Sequence, residues 1–184
     1  MKISRLRFGI LVVFAMFILL EGISFATYQT AVLGQIEQDN TINAMKTKIE
    51  LEKANLSKEE EKTLELINEY RKQNGLNELK VYSKLQEVAK LKAEDLVNNK
   101  YFSHTSPTLG TPFKMLKDNQ VEYRIAGENL AGNTTPERAV EAWINSPAHR
   151  DNILENKFEY TGIYVIESPV YGKIFVQLFI GLSK

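Results

Sequence analysis

Residues 127–154 read GENLAGNTTPERAVEAWINSPAHRDNIL, and their punctuation decides the fold class. Gly127-Glu128 has the look of a strand end, where glycine permits close backbone approach and glutamate is a poor strand residue. Thr135-Pro136 then reads as a helix cap with proline at the first helical position, opening a helix that carries Ala139, Val140, Trp143 and Ile144 on one face. Ser146-Pro147 repeats that signal at once and puts His149 in the first turn of another helix.

Outward from this stretch the same signals recur. Toward the C-terminus, residues 160–166 and 173–180 are rich in Tyr, Val, Ile and Phe, and the turn signal Ser168-Pro169-Val170-Tyr171-Gly172 between them predicts an antiparallel hairpin. Residues 122–130 form a candidate third strand. Upstream, Ser57-Lys58-Glu59-Glu60 has capping-box form and starts a helix bearing Leu64, Ile67 and Tyr70, stopped at Asn74-Gly75. Ser83 starts a second helix, with Leu85, Val88, Ala89, Leu96 and Val97 as its apolar stripe and Asn98-Asn99 as its end. Residues 101–107 are then a loop carrying His104, and Thr111-Pro112 opens a short helix. Helices first and strands late, without regular alternation, predict an α+β domain over residues 57–184.

The chain has 184 residues, 23 basic and 23 acidic side chains, two histidines and no cysteine. Zero net charge gives no sign of a nucleic-acid partner. Without cysteine there are no disulfides, thiolate metal sites or cysteine nucleophiles. Lys2, Arg5 and Arg7 precede the apolar run Phe8–Leu20, and Ser24-Phe25-Ala26 offers a small-x-small site. Residues 1–26 are therefore expected to be a secretory signal peptide or an uncleaved membrane anchor, with the rest of the chain exported. Membrane contact is expected through this segment alone. Residues 27–56 are polar, loosely helical in pattern, and read as a spacer.

HExxH, GxSxG, P-loop and GxGxxG patterns are all missing. The candidate chemistry rests on His104, Glu128, Glu141 and His149. Each has an ordinary structural reading: His104 as a solvated loop residue, His149 as a helix-start packing residue, Glu128 as an edge carboxylate and Glu141 as a boundary carboxylate of its helix. Together, two imidazoles and two carboxylates suit a divalent cation such as zinc, or proton transfer. The spacing leaves their convergence open.

LINEYRKQNGL, FSHTSP, GENLA, AVEAWINSPAHRDNIL, YTGIYV and FVQLF, in that order over residues 60–182, resemble the CAP superfamily, the SCP-like domain, in its cysteine-free form. The resemblance implies an α-β-α sandwich with a central antiparallel sheet. It also implies that His104, Glu128, Glu141 and His149 form the family's cleft tetrad, with the histidines as chief ligands of a zinc or similar ion. Tyr164 departs from the family pattern, standing where many members have a small residue. Function stays open between three classes. The first is an envelope binding module that recognises a cell-envelope component, a peptide or a lipid. The second is a metal- or carboxylate-dependent hydrolase with Glu128 and Glu141 as candidate catalytic residues. The third is a lipid-binding protein using Tyr101, Phe102 or Trp143.

Overall fold

The computed structural model describes residues 25–51 and 55–182. The signal-or-anchor segment, residues 1–24 of it, lies outside the described residues. The chain divides into two compact units, residues 1–47 and 48–184. Helix α1, Phe25–Leu51, runs through most of the expected spacer for 27 residues, with Leu33 and Ile36 exposed. Among the described residues, no helix is long and apolar enough to cross a membrane.

Beyond α1, the second unit continues with α2, Lys58–Gln73. Its capping box forms as the sequence predicts: Glu60 N–H donates to Ser57 Oγ at 3.3 Å, and Ser57 N–H donates to Glu60 Oε2 at 2.8 Å. The same carboxylate also accepts from Val165 N–H at 3.2 Å, tying the helix start to the sheet. Then follow β1 (Lys80–Val81), α3 (Ser83–Asn98), α4 (Pro112–Asp118), β2 (Ile125–Asn133), α5 (Pro136–Asn145), α6 (Pro147–Leu154), β3 (Tyr160–Ser168) and β4 (Gly172–Gly181).

The sheet has the order β1-β3-β4-β2, with β3 antiparallel to β4, β4 antiparallel to β2, and the two residues of β1 parallel to β3. Gly172, at φ +79°, makes the β3–β4 turn in the left-handed region that glycine tolerates. Strand alternation gives the sheet two apolar faces. Ile163, Phe175 and Phe179 pack with Ile67 of α2, Ala139, Val140 and Trp143 of α5, and Ile153 of α6. The other face meets α3, whose backbone comes so close to Gly162 that an added Cβ would lie 2.3 Å from the Leu85 carbonyl carbon. Helices on both faces of a mostly antiparallel sheet make the α-β-α sandwich.

Two sequence expectations need correction. β1 escapes a pattern search because two residues carry no periodicity. β2 is displaced from the expected residues 122–130 and does not end at Gly127. Glycines in this strand mark close approach: a Cβ on Gly132 would meet the Tyr171 ring at 2.7 Å. Glu128 therefore sits inside an edge strand, opposite Leu178 of β4.

Candidate functional site

The loop that carries His104 is built on two charged residues one turn apart on α3. Lys92, fully buried, donates from Nζ to Tyr101 Oη at 3.0 Å, to the Ser103 carbonyl at 2.7 Å and to the His104 carbonyl at 3.0 Å. Asp95 accepts from Asn99 Nδ2, from Tyr101 Oη, from Ser106 Oγ at 2.7 Å and from Thr108 Oγ1 at 2.5 Å. Burial pushes the Asp95 carboxyl up, but the hydrogen bonds from Ser106, Thr108, Tyr101 and Asn99 outweigh it and hold the group below the usual carboxylate range. Burial lowers the Lys92 ammonium, opposed by the charges of Glu128 and Asp95. The same burial, with the Asp95 bond, raises the Tyr101 hydroxyl.

Glu128 reaches this loop from β2. Its side chain is only 3% exposed, and Oε1 lies 2.7 Å from His104 Nδ1, on an imidazole that is 53% exposed. Its second oxygen, Oε2, is buried without a hydrogen-bond partner. Burial raises the Glu128 carboxyl above its ordinary value, opposed by the His104 hydrogen bond and by the charges of Lys92 and His104. His149, from the first turn of α6, brings its ring centroid to 6.3 Å from that of His104, the planes inclined at 50°. Burial, and then the neighbouring His104, lowers His149 and favours the neutral ring. The α6 turn is fastened to β2: Asn129 Nδ2 donates to the His149 carbonyl at 3.0 Å, and Asn152 Nδ2 donates to Asn129 Oδ1 at 2.9 Å and to the Glu128 carbonyl at 3.2 Å.

Three of the four expected residues thus come together, and Glu141 does not join them. It is exposed on α5, where it lines a groove with Leu66, Glu69, Tyr70 and Gln73 of α2. The reason is helix phase: Pro136, Ala139, Val140 and Trp143 take the buried face of α5, and Glu141 falls outside that arc. A Glu128/Glu141 acid–base pair gains no support from this placement. Of the aromatics weighed for a lipid groove, Trp143 is in the core, Tyr101 is bound to Asp95, and Phe102 is exposed, its ring 5.0 Å from that of Tyr171. Tyr164 sits on the α3 side of the sheet, 6.0 Å below the Lys90 ammonium. Lys92, Asp95, Asn129 and Asn152 were not among the sequence candidates.

A cation would meet an open pair of rings here. Among the described residues, no group of three or more His, Cys, Asp or Glu side chains is arranged to hold a metal ion. Two imidazoles on one tetrahedral zinc, with Zn–N bonds of about 2.0–2.1 Å, have centroids roughly 5 Å apart. The observed 6.3 Å is wider, so the rings would have to draw together to share an ion. With Nδ1 engaged by Glu128, His104 has Nε2 left for a ligand, the second-shell arrangement usual for metal-bound histidine. Two imidazoles, one backed by a carboxylate, are the donor chemistry that a divalent cation would meet here.

The sequence pattern of CAP, the Cysteine-rich secretory protein family, matches residues 64–179. Bacillus subtilis protein YkwD is 43% identical over 129 residues, covering 70% of this chain and 49% of that protein. The crystal structure of an extracellular protein containing a SCP domain from Bacillus anthracis is similar at TM-score 0.61 and 31% identity, over 70% of this chain and 45% of that one. An outer surface protein from Borrelia burgdorferi is similar at TM-score 0.62 and 31% identity, over 70% of this chain and 97% of that one. The chain spans about half the length of YkwD and of the anthracis protein.

Proposed function

The chain belongs to the CAP, or Cysteine-rich secretory protein, family, and on that premise we propose that it is an extracytoplasmic binding module whose His104–Glu128–His149 cleft takes up a divalent cation. The location outside the cytoplasm accords with the extracellular and outer-surface proteins that its second unit resembles. The observation that carries the cation reading is Glu128: a carboxylate almost wholly buried, one oxygen on His104, whose ring lies 6.3 Å from that of His149, and the other unpartnered. His104 and the charge of Lys92 offset part of the cost of burying this acid, and its second oxygen is left without a donor. His104 and His149 would hold the ion, and Glu128 would fix the His104 ring. A bound ion would supply a Lewis acid with open positions for a ligand from the cell envelope.

Zinc titration by calorimetry on the whole chain tests the reading. The wild type is expected to bind zinc, and His104→Ala and His149→Ala each to weaken or abolish that binding. Equal, null heats in all three remove the cation. A hydrolase is the second reading, favoured by the raised Glu128 carboxyl, which suits a general acid. Products from peptidoglycan or peptide libraries that vanish in Glu128→Gln would select it over the binding module.

A further inference from the structure

We infer that Lys92 and Asn129 are positioning residues for the two imidazoles, each fixing the main chain of one histidine from a fully buried site. The inference rests on the reading of the cleft as a cation site. Lys92 Nζ donates to the His104 carbonyl, and Asn129 Nδ2 to the His149 carbonyl, each at 3.0 Å. Both side chains are fully buried. The two clamps come from different elements, α3 and β2, and reach different ones, the His104 loop and the first turn of α6, yet each grips the same atom of its histidine.

The chemistry of each position argues for a specific task. A buried ammonium loses its hydration and is tolerated only with its donors satisfied. Lys92 meets that condition with the Ser103 and His104 carbonyls and the Tyr101 hydroxyl, all in or beside the His104 loop. At Asn129, the amide is oriented by Asn152, which donates to Oδ1 and leaves Nδ2 directed at His149. β2 thereby serves both rings through consecutive residues: the Glu128 carboxylate bonds the ring of His104, and the Asn129 amide holds the backbone of His149. With both carbonyls fixed, only the side-chain torsions remain to set the separation of the rings.

The test uses the whole chain in detergent micelles, comparing Lys92→Met and Asn129→Leu with wild type. Because the chain has two histidines, ring ¹H–¹⁵N spectra report on these two imidazoles alone. Lys92→Met is expected to displace the His104 ring signals and spare those of His149; Asn129→Leu is expected to do the reverse. Each should weaken zinc binding measurably, by at most the roughly 10–100-fold lost with a direct partner of the ring. Wild-type zinc affinity and unmoved ring signals in both variants, however far Tm falls, would overturn the inference. If wild type itself binds no zinc, the cation reading fails, and the ring spectra alone decide positioning: selective displacement upholds it and unmoved signals sink it. Should either variant fail to fold, Lys92→Gln and Asn152→Ala give the same comparison in milder form.

Discussion

Asp95 accepts hydrogen bonds from four side chains, three of them in the loop that follows its helix. Replacing it with alanine strands the Tyr101, Ser106 and Thr108 hydroxyls and should destabilise the protein by roughly 2–4 kcal/mol, since bonds to a charged acceptor are worth more than neutral ones. Urea unfolding at neutral pH measures this, and a loss under about 0.5 kcal/mol, the scale of an ordinary surface change, would contradict it. At this scale the two histidines stood out by scarcity, whereas Glu128, one of 23 acidic residues, was joined to them by the family resemblance and not by its spacing. Lys92 and Asp95 did not stand out, because charged residues on an amphipathic helix normally read as its wet side. Their burial depends on carbonyls and hydroxyls of a loop whose conformation no local pattern encodes. Glu141 misled for the opposite reason, lying one residue from a buried position on a helix whose apolar arc is too narrow to include it.

Helix α3 can lie against β3 only because Gly162 has no side chain. An added Cβ would fall 2.3 Å from Leu85 C and 2.5 Å from Gln86 N, both backbone atoms that cannot swing aside. Gly162→Ala should therefore push the helix off the sheet and cost at least about 3 kcal/mol, at or above the upper end of ordinary overpacking. Thermal unfolding would show it, and a Tm unchanged from wild type would mean that the helix does not pack as described. The displaced helix carries Lys92 and Asp95, so the His104 loop should loosen with it. Element boundaries were well marked where caps and turns mark them: the Ser57 box, Thr135-Pro136, Ser146-Pro147 and the Ser168–Gly172 turn. β2 was misplaced because its glycines look like terminators locally. Their purpose, making room for Tyr171 and Phe158, becomes visible only when distant residues are brought alongside.

Across the molecule, two buried carboxyls and one half-buried imidazole pull stability in different directions with pH, and the signs can be separated by substitution. The Asp95 carboxyl is held low in the fold, so its contribution is present above the ordinary carboxylate value of about 4 and is lost as pH falls through its folded value. His149 is also lowered. The unfolded chain takes up its proton near pH 6.5 while the fold resists, so stability declines as pH drops below about 6.5. Glu128 is raised. The fold holds its proton more tightly than the unfolded chain does, and the associated stability, complete below about pH 4.3, is lost as pH rises through the folded value. Glu128→Gln keeps the size and an acceptor for His104 but removes the titration, so its stability relative to wild type should improve as pH rises above about 4.3 and level off past the folded value. His149→Asn should gain on wild type in the opposite direction, as pH falls below 6.5. Urea unfolding of the three proteins at half-unit steps, in metal-free buffer, reads both trends. If the two difference curves run parallel, the carboxyl and the imidazole do not occupy the opposed environments that the sandwich assigns them. The proposed cation site would then lose the buried acid that supports the His104 ring.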